Sequence, residues 1–132
     1  MKILNLTQHR ATPEQIAQGV VDPTDSERAG ISKMLTFDDL PSEADLQGRA
    51  AALAEFALGI AAEVHAASVM IGGAPYFMGN LERECWAAGL RPLHAFSKRE
   101  SVEEAQPDGS VIKRNVFRHD GFVGLEFPEV ER

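Results

Sequence analysis

The sequence predicts an α/β fold, with a single domain over residues 1–132 arranged as a three-layer sandwich. We expect a mainly parallel sheet and a C-terminal β-hairpin. Three patterns support this prediction: an apolar strand at residues 2–7, a strand–helix–strand succession between 68 and 97, and a turn motif at 107–110. Strands that alternate with helices are typical of parallel sheets covered by helices.

The strand–helix–strand unit is the clearest pattern in the chain. Residues 68–72 form a short apolar run that ends in two glycines, and residues 75–88 follow with a helical pattern. A second apolar run covers residues 92–97. Parallel strands need a crossover connection of this kind, so 68–72 and 92–97 are predicted to be neighbouring parallel strands.

Local signals place the elements at the start of the chain. Residues 2–7 alternate as a strand does, and residues 20–21 form a brief strand. Between them, Thr12, Pro13 and Gln15 match the start of a short helix, with a capping hydroxyl, proline at the first helical position and a capping-box glutamine.

The middle of the chain contains the longest predicted helix, over residues 43–65, which has a broad apolar stripe rich in alanine. Phe56 lies off this stripe, where it either joins the core or contacts another subunit. Residues 24–41 are harder to assign. Thr24 could cap a helix that runs toward Met34, and we expect this segment to cover part of the site edge or a partner surface.

The end of the chain predicts a hairpin after Ser101. Segments 101–106 and 111–119 flank a Pro-Asp-Gly-Ser motif at 107–110, which is a strong turn signal. Phe122 and Val123 could add an edge strand, and the tail beyond them is expected to fray.

Composition excludes several classes of function. The net charge of -7 argues against binding of long nucleic acids, which needs a basic surface. No stretch approaches the roughly 20 apolar residues of a membrane span, and the apolar run at the amino terminus is too short for a signal peptide. The lone cysteine, Cys85, lies in a helical pattern and is predicted to be core. We therefore expect a cytoplasmic protein.

Known cofactor and metal motifs do not occur. The segment at 72–75 matches neither the dinucleotide-binding glycine pattern nor a P-loop, and there is no G-x-S-x-G elbow. Histidines and the cysteine form no closely spaced pair of the zinc-binding kind. The sequence thus predicts neither a bound cofactor nor a metal.

Three polar segments follow the predicted parallel strands. Since ligands bind at the carboxyl edge of such sheets, these segments are the candidate site: Thr7, Gln8 and His9; Gly72, Gly73 and Ala74; and Ser97, Lys98, Arg99 and Ser101. The glycines leave room for a ligand, and the helix start after them favours an anion.

Charged side chains near that edge indicate a small phosphate-bearing ligand. Lys98 and Arg99 can neutralise phosphate charge, whereas Lys113 and Arg114 are predicted to lie on the exposed hairpin. His9 is either a general acid or base or a hydrogen-bonding loop residue.

In layout the chain resembles the minimal, single-domain ring nucleases of the CRISPR-associated Rossmann-fold (CARF) type. The resemblance lies in a polar loop after the first strand, a glycine-containing loop after a later strand, and a Ser/Lys/Arg run after the next. It implies a Rossmann-like homodimer that binds cyclic oligoadenylate across its two-fold axis in antiviral signalling. It also implies metal-independent cleavage, in which a ribose 2′-hydroxyl attacks the adjacent phosphate, with His9, Lys98 and Arg99 as the matching catalytic positions.

Two other functions remain open at this stage. One is a nucleotide or nucleoside hydrolase or transferase on the same scaffold, in which a carboxylate such as Glu14 or Glu100 acts. The other is a non-catalytic accessory protein that senses a nucleotide. Binding without product formation would distinguish the second from either enzyme.

Overall fold

The computed structural model describes residues 1–126. The tail beyond Val123 was predicted to fray, and most of it, residues 127–132, lies outside the described part. Within residues 1–126, no helix combines the length and the apolar character that crossing a bilayer requires.

A five-stranded sheet in the order β2-β1-β3-β4-β5 forms the centre of the protein. The first four strands are parallel, and β5 pairs antiparallel with β4. The strands are β1 (Ile3–Leu6), β2 (Val20–Val21), β3 (Ser68–Ile71), β4 (Arg91–Ala105) and β5 (Val111–Gly124). The register pairs Ser68 with Arg91 and Ile71 with His94, so the predicted parallel neighbours are confirmed.

Four helices connect the parallel strands: α1 (Pro13–Ala17), α2 (Asp25–Leu35), α3 (Glu43–Val64) and α4 (Pro75–Ala87). The first three begin with complete capping boxes, whose hydroxyls come from Thr12, Thr24 and Ser42. Each box satisfies two backbone donors that would otherwise lack partners. The predicted starts of α1 and α3 are therefore confirmed, and the 24–41 segment contains a full helix that begins where Thr24 indicated.

The core consists of two clusters on opposite faces of the sheet, because neighbouring residues of a strand point to opposite faces. Leu4 and Val69 belong to the larger cluster, which includes buried side chains of α2, α3 and α4. Ile3 and Met70 belong to the smaller one, against which the partly buried Ala11 and Phe122 pack. Helix α1 has no buried residue. One face thus carries most of the helical packing, and the structure shows an α/β protein with a mostly parallel sheet.

Strand β4 is longer than predicted. The expected strand ended at residue 97 with a hairpin after Ser101, but β4 continues to Ala105 and pairs with β5 along this whole length. The only irregularity is a register shift between Phe96 and Ser97. No glycine or proline interrupts residues 93–106. The polar residues after Phe96 suggested a loop, but pairing with β5 gives their backbone N–H and C=O groups hydrogen-bond partners. The Pro-Asp-Gly-Ser turn itself is confirmed.

The extension forms a two-stranded antiparallel ribbon, defined here as residues 97–105 and 111–119. Beyond the pairing of Ile71 with His94, β4 has no partner in β3, so the ribbon projects past the end of the parallel sheet. Most of its side chains are exposed. Lys98, Arg99 and Ser101 therefore lie inside this ribbon and not after the end of a strand.

Candidate functional site

Strands β1 and β3 are neighbours whose outgoing connections leave in opposite directions. The loop after β1 leads through α1 to β2 on one side, and the loop after β3 leads through α4 to β4 on the other. This arrangement is a topological switch point, which opens a crevice at the carboxyl edge of the sheet.

A pocket of about 760 Å³ occupies this edge, and we call it the switch-point pocket. Its wall includes two of the three predicted segments, the one after β1 and the one after β3. Residues 35 and 36, at the end of α2, also contribute, so the 24–41 segment reaches the site edge as expected. The lining residues are Thr7, Gln8, His9, Arg10, Thr12, Gln15, Leu35, Thr36, Met70, Ile71, Gly72, Gly73, Ala74, His94 and Ala95.

A buried asparagine holds the first loop in shape. Asn5 is fully buried in β1, and its Oδ1 accepts hydrogen bonds from the backbone nitrogen (3.0 Å) and the hydroxyl (2.7 Å) of Thr7. Its Nδ2 donates to the carbonyl oxygen of His9 at 2.7 Å and to Asp22 Oδ1 at 2.8 Å. All four hydrogen-bonding positions of the amide are used, so the Thr7 hydroxyl serves the loop itself.

Asp22, directly after β2, fixes the other end of the same loop. Its Oδ1 also accepts from the backbone nitrogen of Ala11 at 3.1 Å, and its Oδ2 lies 3.7 Å from a guanidinium nitrogen of Arg28. The three guanidinium nitrogens of Arg28 are buried, and within the described chain they have no hydrogen-bond partner. The ion pair with Asp22 therefore offsets part of the cost of burying the guanidinium charge. Sequence analysis missed both Asn5 and Asp22, although a polar residue inside the first strand was a signal for the former.

Strand β4 contributes His94 to the pocket. Its Nε2 lies 2.9 Å from Glu82 Oε1 on α4, and both side chains are partly buried. His94 alternates with apolar residues inside the strand, a pattern that favours a structural role. It also lines the pocket, where the carboxylate of Glu82 orients its ring and leaves Nδ1 outside the pair.

The glycine loop makes this edge favourable for an anion. Gly73 has φ of +155°, which side chains rarely adopt, and a Cβ on Gly72 would lie 3.5 Å from Thr7, so the two loops are in near contact. Ala74 caps α4 without a side-chain hydrogen bond, and the first turn of α4 has no acidic residue. Pro75 has no N–H group, and the N–H of Phe77 donates to the carbonyl oxygen of Ala74 at 3.0 Å. The N–H of Tyr76 is therefore the donor that this turn can offer a ligand.

Full positive charge at the pocket comes from Arg10. Its guanidinium pairs with Asp25 at 2.9 Å, and both side chains are largely exposed. An exposed pair of this kind is weak, so Arg10 can exchange its partner for a phosphate at little cost.

The remaining predicted residues lie elsewhere. Ser97 lines a second cavity of about 360 Å³ between α1 and the ribbon, here called the ribbon groove. Lys98, Arg99 and Ser101 are exposed on the ribbon. Two of the three predicted segments therefore converge on the switch-point pocket, and β4 supplies His94 and Ala95 to it in place of the third. The ribbon groove is lined by Thr12, Glu14, Gln15, Ser97, Val116, Phe117, Arg118 and His119.

Cys85 and Glu100 do not line the pocket. Cys85 is buried in the core as predicted, and burial raises the pKa of its thiol to about 12. Glu100 pairs with Arg118 at 2.8 Å on the ribbon. Among residues 1–126, no three His, Cys, Asp or Glu side chains cluster in a way that could hold a metal ion.

The fold and the pocket define an α/β protein with a candidate ligand site at a topological switch point. The chain belongs to the family described as "Uncharacterized protein MJ1673 family", whose model matches residues 1–123. No curated protein and no solved structure matches it.

Proposed function

We propose that the switch-point pocket binds a nucleotide through its phosphate. The observation that supports this best is the convergence of the Asn5-bound loop, the Gly72-Gly73 loop and the uncapped start of α4 on one cavity of about 760 Å³. A volume of this size is within the usual range for small-ligand sites. Arg10 and the N–H of Tyr76 at the start of α4 complement a phosphate, and His94 offers a group that can transfer a proton.

We also propose a Rossmann-like, three-layer arrangement around this pocket. Crossovers between parallel strands are almost always right-handed. Connections that leave β1 and β3 in opposite directions then place α1 on one face of the sheet and α4 on the other. The separate core clusters on the two faces support this assignment.

The particular function we propose is that of a ring nuclease, which binds and cleaves cyclic oligoadenylate in CRISPR type III antiviral signalling in the cytoplasm. The layout resemblance and the pocket support it. In the reaction, an imidazole removes the proton of a ribose 2′-hydroxyl, and the new 2′-O–P bond displaces the 5′-oxygen. That oxygen takes a proton, and the product carries a 2′,3′-cyclic phosphate.

Two imidazoles at the pocket can perform the two proton transfers. His9 is exposed on the first loop, and His94 is oriented by Glu82. Catalysis of this kind depends mainly on alignment of the three reacting atoms and on charge stabilisation at phosphorus. Lys98 and Arg99 would then contact parts of the ligand that extend from the pocket onto the ribbon.

The test is incubation with cyclic tetra-adenylate in the presence of a chelator, with products identified by mass spectrometry. We expect a product with a 2′,3′-cyclic phosphate from the native protein and a loss of roughly a hundredfold in rate for His9→Gln or His94→Gln. His65→Asn is the matched control, because His65 lies at the opposite edge of the sheet, and its left-handed φ of 62° suits asparagine. Equal rates for all three variants would contradict the assigned roles.

The Glu82–His94 pair favours a second candidate, a nucleotide hydrolase or transferase in which this imidazole activates water or a hydroxyl. A panel of mononucleotides and nucleosides distinguishes it from the ring nuclease. Glu100→Gln should leave either activity unchanged, because Glu100 is engaged with Arg118 on the ribbon. Binding of these ligands with no product over hours would instead indicate the sensing function.

We propose a homodimer as well. The alanine-rich face of α3 is used within the subunit, since Ala50, Ala57 and Ala61 are buried in the core. Phe56 lies next to Gly30 of α2 and remains 37% exposed. The proposal now rests on the resemblance and on the exposed ribbon. Light scattering should give twice the mass of one chain at micromolar concentration, and a monomer mass would contradict it.

A further inference from the structure

The ribbon groove adjoins the switch-point pocket. Thr12 and Gln15, at the start of α1, line both cavities. A ligand that leaves the first cavity past these two residues therefore enters the second. With about 360 Å³, the groove offers a volume at the lower end of the range for small-ligand sites.

Phe117 is the unusual feature of this groove. It is 71% exposed, so it contributes little to the core. Arg99 lies directly opposite it on the other strand of the ribbon, and such cross-strand partners project on the same face. An exposed aromatic ring beside an arginine is the combination on which bases of single-stranded nucleic acids stack while their phosphates are neutralised.

The wall behind Phe117 is held in place. His119 Nε2 lies 2.7 Å from Gln18 Oε1, and its ring centroid is 4.9 Å from that of Phe122. The amide nitrogen of Gln18 donates to the carbonyl oxygen of Asp120 at 3.2 Å, which fixes the orientation of this amide. The groove thus has a preformed wall, and preformed sites lose less entropy on binding.

We propose that the ribbon groove is a second nucleotide subsite, in which a base stacks on Phe117 while the preceding nucleotide occupies the switch-point pocket. The ligand is then an oligonucleotide of at least two units and not a mononucleotide. This inference rests on the proposed nucleotide-binding function. In this arrangement Ser97 and Arg99, which were predicted to bind the ligand but do not line the first pocket, would contact the second nucleotide.

The experiment compares two probes by calorimetry: deoxyadenosine 5′-monophosphate and the 5′-phosphorylated dinucleotide of deoxyadenosine. Neither probe carries a 2′-hydroxyl, so neither is consumed by the proposed reaction. The native protein should bind the dinucleotide more tightly. Phe117→Ala should weaken dinucleotide binding about fivefold to a hundredfold and leave mononucleotide binding within about twofold.

The control variant is Ile112→Ala. Ile112 is also an exposed apolar residue of the ribbon, 52% exposed, but it pairs with Glu104 and lies on the opposite face. It should leave the affinity for both probes unchanged. Phe117→Trp should keep dinucleotide binding, because an indole ring also stacks.

Each other outcome has a definite meaning. If Phe117→Ala binds the dinucleotide as Ile112→Ala does, the second subsite is refuted while mononucleotide binding still supports the proposed function. If Phe117→Ala weakens both probes equally, the first nucleotide occupies the ribbon groove, and the two-subsite arrangement is wrong. If the native protein binds neither probe, the proposed function fails and this inference fails with it.

Discussion

The amide nitrogen of Asn5 donates a 2.8 Å hydrogen bond to the carboxylate of Asp22. This bond joins the last part of β1 to the residue after β2, because Asn5 lies two residues before the first pocket loop. Asp22 also accepts from the nitrogen of Ala11 at the far end of that loop. The geometry of one pocket wall therefore depends on a side-chain network that joins Thr7 of the loop to Asn5 and Asp22.

Replacing Asp22 should destabilise the protein. In Asp22→Ala, the buried Asn5 amide loses an acceptor and the guanidinium of Arg28 loses its counter-charge, so we expect a loss of about 1–3 kcal/mol in the free energy of unfolding. Urea denaturation measures it. Asp25→Ala is the control, since its ion pair with Arg10 is exposed and should change stability by less than about 1 kcal/mol. Equal losses for the two variants would contradict the network.

Two glycines should respond to alanine with opposite signs. Gly19 has φ of +107°, and an added Cβ there would collide with the carbonyl oxygen of Met1, so Gly19→Ala should cost more than about 1 kcal/mol. Gly48 lies in α3 with open space around it, and Gly48→Ala should stabilise by about 0.5–1 kcal/mol. Thermal unfolding of both variants checks this. A rise in Tm for Gly19→Ala would show that the connection from α1 to β2 does not have the backbone conformation described here.

Cys85 should be inert in the folded protein. Burial raises the pKa of its thiol to about 12, so the reactive thiolate is only about one part in ten thousand at pH 8. A thiol reagent should therefore label the chain only after denaturation. Ser101→Cys supplies an exposed thiol on the ribbon as a positive control, and it should react within minutes. Rapid labelling of the native chain would show that the core around α4 opens.

Acid should weaken the start of α3. Hydrogen bonds from the backbone and the hydroxyl of Ser42 lower the pKa of Asp45 in the folded state. A lowered pKa means that this stabilisation is present above the usual value of 3.8 and is lost as the pH falls below it. Asp45→Asn should reduce the fall in unfolding free energy between pH 6 and about pH 3. The control is Glu43→Gln, in the same helical turn, which should leave that fall unchanged. If the unfolding free energy of Asp45→Asn falls as much as that of the native protein, the result argues against the capping box.

Elements that depend on local signals could be predicted from the sequence alone. These signals act through neighbouring backbone groups, so their effect is visible in a few consecutive residues. They are the hydroxyl caps, the proline at the start of α1 and the Pro-Asp-Gly-Ser turn. Apolar runs and the crossover between them likewise predicted that β3 and β4 are parallel neighbours. Two pocket segments, Thr7 to His9 and Gly72 to Ala74, were identified for the same reason.

Only the tertiary structure decided where the polar residues after Phe96 lie. Strand pairing joins residues far apart in sequence, and pairing with β5 extended β4 to Ala105, which carried Lys98 and Arg99 away from the first pocket. Side-chain contacts across elements decided the rest: the pair of His94 with Glu82, and that of Asn5 with Asp22. Such contacts leave no periodicity in the sequence, because their energy arises only once the sheet has brought distant segments together.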